Sequence, residues 1–271
     1  MTGGPVPADP GRDDTGRDDT VPADPGRDDT GREVVLPTTV ARVVSLVPSL
    51  SEAVAVTAPG LLVGATDWCS HPVGLQVARI GGTKNPRVAD VLSLAPDVVL
   101  ANAEENRPAD LDALREAGVA VWVTAPETVP QALVSLDRAL AACRLDRPGW
   151  LDKAAAVWAE QPVGPRRTAV VAIWRRPWMA VGRDTFTGDV LARLGVDNAL
   201  AGSPDRYPKV VLAELPAHDL VVLPDEPYAF TADDGPEAFA ARCALVSGRH
   251  LTWYGPSLVE ARALLLEQLH G

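Results

Sequence analysis

Leu92-Ser-Leu-Ala-Pro-Asp-Val-Val-Leu100 is the stretch from which the fold can be read. Residues 89–94 have helical spacing, Ala95-Pro96 halts the helix, and Asp97-Val-Val-Leu-Ala101 is a short apolar run suited to a buried strand. The same order returns at Leu215-Pro-Ala-His-Asp-Leu-Val-Val-Leu223. Each strand then runs into acidic residues, Glu104-Glu105 in the first copy and Asp225-Glu226 in the second. A helix end feeding a hydrophobic strand, met twice, implies two α/β units.

Outward from these anchors the pattern holds. Ala41-Arg-Val-Val-Ser-Leu-Val47 reads as a strand, and Ser49-Leu-Ser-Glu52 has the S-x-x-E form of a helix capping box. Residues 61–66 form a second strand that opens into Asp67-Trp-Cys-Ser-His-Pro72. A helix at 109–117 stops at Gly118 and a strand follows at 119–124. Strands alternating with short helices predict a parallel sheet. Residues 129–160 then read as helical, with Arg147-Pro-Gly149 interrupting. Strands resume at 168–174 and 219–223, with helices at 187–194 and 257–269. The expected organisation is an acidic tail (1–35), an N-terminal α/β lobe (36–128), a helical linker (129–163) and a C-terminal α/β lobe (164–271).

The tail is set apart by composition. Residues 6–20 read VPADPGRDDTGRDDT and residues 21–33 repeat them as VPADPGRDDTGRE. With so little to bury, the segment is expected to be disordered, a solvating linker. It has neither the basic start and apolar core of a secretory signal nor a lipobox cysteine. The sequence as it stands therefore reads as cytoplasmic, or as extracytoplasmic if the start site is misassigned.

The chain has 271 residues, 25 Lys plus Arg and 36 Asp plus Glu, for a formal net charge of −11. That balance argues against a nucleic-acid binder, which needs a basic stripe to displace counterions. No apolar run reaches the roughly 18–20 residues of a membrane-spanning helix. Cys69, Cys143 and Cys243 are too few and too scattered for a disulfide framework.

In open parallel sheets ligands bind beyond the carboxyl ends of the strands, and the residues with useful chemistry cluster there. Trp68, Cys69 and His71 follow the second strand. Cys-x-His without a second ligand pair does not make a zinc site, so no metal site is expected, though one imidazole suffices as an axial ligand to a chelated metal. Trp174-Arg-Arg-Pro-Trp178 places indoles and a guanidinium at period two. It is read either as a grip on a flat, partly anionic ligand or as a hairpin covering the sheet. Asp225, Glu226, Tyr228 and Trp253 form a third group with Tyr207, Phe230 and Tyr254. There is no G-x-S-x-G elbow, phosphate loop or G-x-G-x-x-G fingerprint, so no catalytic residues are assigned.

Arg42-Val-Val-Ser-Leu-Val-Pro-Ser-Leu-Ser-Glu52, Val63-Gly-Ala-Thr, Leu94-Ala-Pro-Asp-Val-Val-Leu100 and Leu114-Arg-Glu-Ala-Gly-Val119 resemble the class III solute-binding proteins. These helical-backbone metal receptors serve cobalamin and iron-siderophore ABC importers. The likeness covers about residues 41–271 and is greatest to the vitamin B12-binding members. It implies two Rossmann-like α/β lobes joined by a long rigid linker helix, with a ligand cleft between them. The implied ligand is a cobalamin-like corrinoid or related metal chelate, and no other cofactor is required. Trp68, Trp174, Trp178 and Trp253 would supply stacking surface. Arg107, Arg175 and Arg176 would meet anionic groups, while Glu105, Asp225 and Glu226 would accept from ligand amides. Tyr228 lines the same region and His71 is the axial candidate.

The resemblance also implies an ABC permease as partner, docked through one glutamate per lobe. Those positions fall on Ala89 and Ala213, with Asp90 and Glu214 one residue along, so the docking glutamates are absent. Two further readings stand beside the importer receptor. One is an intracellular carrier or sensor for a metal chelate. The other is a tetrapyrrole-processing enzyme such as a chelatase, for which His71 with Glu104 or Glu105 is the candidate pair.

Overall fold

The computed structural model describes residues 26–162 and 164–270. In the N-terminal lobe β1 (Val43–Ser45), β2 (Leu62–Ala65), β3 (Ala78–Arg79), β4 (Val98–Asn102) and β5 (Ala120–Thr124) form one sheet in the order β3-β2-β1-β4-β5. Every pairing in it is parallel. The connections carry α1 (Pro48–Thr57), α2 (Val88–Ser93) and α3 (Pro108–Glu116). All five residues of β4 are buried, as its unbroken apolar run requires. At the end of α2, Ala95 turns left-handed at φ 44° ahead of Pro96, which is the stop the sequence announces.

The capping box expected at residues 49–52 does not form. Val47 is the N-cap of α1, Pro48 opens the helix, and no side chain caps it. Glu52 is instead 3% exposed and faces the other lobe.

In the C-terminal lobe the parallel core is β10 (Arg242–Val246), β9 (Leu220–Pro224) and β6 (Arg167–Arg175). The outer edge of β6 is shared. Its first residues pair in parallel with β8 (Val196–Asn198) and its last pair antiparallel with β7 (Trp178–Ala180). The Trp174–Trp178 segment is therefore a hairpin. Helix α6 (Phe186–Arg193) precedes β8, and α7 (Gly248–Thr252) and α8 (Leu258–His270) close the chain.

The linker is two helices rather than one long helix: α4 (Val129–Ala142) and α5 (Gly149–Trp158). The break follows from the sequence, because Arg144 adopts φ 60° and Arg147-Pro-Gly149 cannot continue a helix. Both helices fasten the lobes together. Asp189 of α6 accepts from the Val129 amide at the start of α4 (2.7 Å). On α5, the Trp150 indole donates to Thr57 of α1 (3.0 Å) and the Trp158 indole to the Leu258 carbonyl of α8 (2.9 Å). A single apolar cluster, running from Val43 and Leu100 through Leu136 and Leu151 to Leu265, makes the core continuous across the linker.

Residues 26–35 correct the expectation of a disordered tail through residue 35. They fold back on the N-terminal lobe, where Arg27 bridges to Glu33 and the Val34 amide donates to the Gly26 carbonyl (2.8 Å). Asp28 closes the turn, its Oδ1 accepting from the Thr30 amide (2.9 Å), the Thr30 hydroxyl (2.6 Å) and the Arg32 amide (3.1 Å). Asp29 is the anchor. It accepts from the Ala125 amide (3.0 Å), from Arg138 (2.8 Å) and from the Ser135 hydroxyl, while its own amide donates to the Val123 carbonyl (3.0 Å). Val34 is buried in the core. Composition misleads here because hydrogen bonds to a carboxylate, with one apolar anchor, do what a longer apolar run would otherwise do. The rest of the tail, residues 1–25, lies outside the described residues, as do residue 163 of the expected linker and residue 271.

Candidate binding cleft between the lobes

Residues at or just beyond the carboxyl ends of strands in both sheets meet where the lobes touch. Tyr254, buried, lies within hydrogen-bond distance of Asn102 Nδ2 (2.7 Å) and Thr124 Oγ1 (2.8 Å), at the ends of β4 and β5. Burial pushes the Tyr254 hydroxyl well above its usual range, so it stays protonated. The Asn102 side-chain oxygen also accepts from the Glu104 amide (2.9 Å) and the Glu105 amide (3.2 Å). One side chain thus shapes the acidic turn of the first lobe and ties it to the second.

On one side of this contact the lobes meet through charge. Arg206 of the C-terminal lobe pairs with Glu104 and Glu127, and the Tyr207 hydroxyl donates to Glu104 (2.9 Å). Lys84 donates to the Glu104 carbonyl and lies 3.9 Å from Glu105.

A second meeting point combines an imidazole, an indole and buried carboxylates. The His71 ring stands edge-on to Trp253 of the other lobe, with ring centres 5.7 Å apart. Its Nδ1 is 3.0 Å from Ser70 Oγ. Burial, followed by the charge of Arg249, lowers the His71 pKa, so the ring is neutral at pH 7 and offers a lone pair. Glu52 of α1 pairs across the lobes with Arg249 of α7, and Arg249 also reaches Glu260 (3.2 Å). Glu226 completes the group. Burial, then the neighbouring Asp225, raises its pKa to about 7, and its Oε1 has no hydrogen-bond partner.

The expected site residues fall into separate groups. His71, Trp253 and Glu226 come together at the inter-lobe contact, and Asp225 beside them accepts from the Gly248 amide (2.6 Å). Trp253 is only 7% exposed there. On the C-terminal lobe, Trp178 stacks on Phe230 at 5.9 Å and meets Phe239 edge-on. Trp174, 42% exposed, packs edge-on against Tyr228 at 5.6 Å. Arg175 lies over the Trp178 ring (5.4 Å) with its guanidinium paired to Asp234 and Glu237, both of its own lobe. Arg176 is exposed. On the N-terminal lobe, Trp68 is 69% exposed, Glu105 lies by Lys84, and Arg107 pairs with Asp110 (3.0 Å).

Three neighbours of these residues, Cys69, Arg206 and Arg249, take places that their sequence positions do not signal. Cys69 points into the first lobe, 2.9 Å from Ser51 Oγ and 3.2 Å from Thr66 Oγ1, and burial raises its pKa. Arg206 and Arg249, which join the lobes, carry no sequence signal of that role, because the carboxylates they meet on the other lobe lie far away in the chain.

The sequence matches no family model and no curated protein. Solved structures do share the architecture. The periplasmic vitamin B12 binding protein BtuF of Vibrio cholerae matches with a TM-score of 0.68 at 17% identity, over 86% of this chain and 98% of that one. CeuE of Helicobacter pylori with Ni(II) bound matches with a TM-score of 0.75 at 14% identity, over 90% and 88%. A periplasmic heme binding protein from Pseudomonas aeruginosa matches at 0.65 and 22%, over 86% and 94%. The chain has the two-lobed fold of these proteins, that of the class III solute-binding proteins that its sequence resembles.

Proposed function

We propose that this protein is a non-enzymatic receptor that holds a flat metal chelate, of the corrinoid class, in the inter-lobe cleft. The reading rests above all on the meeting of His71, Trp253 and Glu226 where the two lobes touch. A neutral imidazole can donate to a chelated metal, an indole provides apolar contact area, and a carboxyl near its pKa can either donate to or accept from a peripheral amide. The continuous core across α4 and α5 favours binding with little hinge motion.

The same proposal makes the chain the solute-binding component of an ABC importer, acting outside the cytoplasmic membrane. Among the described residues no helix is long and apolar enough to cross a membrane. Asp90 on α2 and Glu214 on the 3-10 turn Leu212–Glu214 are both exposed, one on each lobe, beside Ala89 and Ala213. They are the carboxylates through which a permease would be met. Asp90 is already paired with Arg87 at 2.5 Å, so docking there competes with an existing ion pair.

Trp253→Ala is expected to weaken aquocobalamin binding by about tenfold or more, the order of one lost stacking contact plus its burial. Equilibrium titration of the parent and the variant checks this. Equal affinities would place the ligand elsewhere than between the lobes.

A further inference from the structure

The docked turn at residues 26–34 is one copy of a repeated sequence. Residues 6–17 read V-P-A-D-P-G-R-D-D-T-G-R, letter for letter the sequence of residues 21–32. Every polar group that seats the turn has a counterpart fifteen residues earlier. Asp14 matches the anchor Asp29, and Asp13, Thr15 and Arg17 match the turn-closing Asp28, Thr30 and Arg32.

We propose that the surface formed by Trp122, Val123, Ala125, Ser135 and Arg138 is a receptor for this chain's own G-R-D-D-T-G-R sequence. Residues 11–17 compete with residues 26–32 for it within the same molecule.

Two positions make the receptor selective. Gly31 adopts φ +80°, which glycine tolerates and a β-branched residue does not. Gly26 lies against Trp122 so closely that an added Cβ would come within 2.7 Å of the ring. The sequence contains a third G-R-D-D-T, at residues 16–20, but Val21 falls where Gly31 sits. That copy is excluded, whereas Gly11 and Gly16 give the first copy a glycine at both positions.

The two eligible copies differ at their ends. Val34, buried in the core, corresponds to Asp19, and Glu33 corresponds to Asp18. Loss of the Val34 anchor makes the first copy the weaker ligand by about ten- to a hundredfold. The fifteen-residue offset holds it at a millimolar effective concentration, which favours exchange within one molecule over capture by another. Exchange of copies would shift by fifteen residues the point at which the N-terminal segment leaves the lobe. The receptor would still brace α4 against β5 through Arg138 and Ser135.

Hydrogen exchange at the Ala125 amide, which donates to Asp29, reads occupancy of the receptor directly. In the full chain, Asp29→Ala is expected to lower protection ten- to a hundredfold, with Asp14 holding the remainder. Asp14→Ala alone is expected to change nothing, and Asp14→Ala/Asp29→Ala together to remove what remains. Equal exchange in the Asp29→Ala single variant and the double variant would overturn the proposal. A dependence of the Asp29→Ala protection on protein concentration would overturn its intramolecular form. Neither outcome bears on the ligand in the cleft.

Discussion

Replacing Glu52 by alanine is expected to destabilise the protein by about 3–5 kcal/mol, the usual cost of stranding one partner of a buried ion pair. Glu52 is 3% exposed and its partner Arg249 is largely enclosed, so water cannot take over the lost contact. Glu260, mostly exposed, reaches Arg249 from another side and keeps the loss near the lower end of that range. The pair joins α1 of one lobe to α7 of the other, so the same change loosens their mutual orientation. Glu52→Gln/Arg249→Met, which removes both charges and keeps the volume, should recover most of the loss. Urea unfolding of the parent, the single variant and the double variant gives the comparison. A loss below about 1 kcal/mol for Glu52→Ala would mean that the pair is solvated and does not hold the lobes.

Glu226 gives the second large effect, and its direction follows from the shift. Its folded-state pKa is about 7 against 4.5 for the ordinary carboxyl, because burial and Asp225 disfavour the anion more than Arg249 and Trp253 favour it. A raised folded-state value means that the native protein binds the proton more tightly than the unfolded chain does. The resulting stability is complete below about pH 4.5 and is lost as pH rises through 7. The loss attributable to this group is about 2–3 kcal/mol between those limits. Glu226→Gln cannot ionise and should escape it. The stability difference between variant and parent should therefore grow with pH from 5 to 8. A difference that stays flat over this range would show that Glu226 is ionised throughout.

How much of this was legible in the sequence depended on whether the controlling contact was local. The strands at residues 98–102 and 220–224 follow from continuous apolar runs after a proline or aspartate stop, because burial on both faces demands such composition wherever the chain goes next. The helix signatures show the limit. Ser49-Leu-Ser-Glu52 has the pattern of a capping box and forms none, since Glu52 is claimed by Arg249 from 197 residues away. Thr128-Val-Pro-Gln131 has the equivalent pattern and does form the box at the start of α4. Nothing in either tetrapeptide distinguishes them.

The candidate site divides along the same line. His71 and Glu226, which follow strand ends of the two sheets, lie with Trp253 where the lobes touch, so position after a strand end is a cue to which residues can meet. The indoles and guanidinium of the hairpin between β6 and β7 could not be placed that way. Trp178 is taken up by Phe230 and Phe239, and Arg175 by Asp234 and Glu237, in a loop whose path no local pattern specifies. Arg206 and Arg249 were invisible because a lone arginine carries no information about a carboxylate on another lobe. The turn at residues 26–34 was hidden for a related reason, since its grip lies in Arg138 and Ser135 of α4.

The most direct measurement is isothermal titration of the full chain with aquocobalamin, cyanocobalamin, hemin and a panel of ferric siderophores. The proposed function predicts a saturable one-to-one heat with a corrinoid at micromolar affinity or tighter. Binding confined to hemin or siderophores would contradict the corrinoid assignment, and the absence of heat with every ligand would contradict the receptor itself.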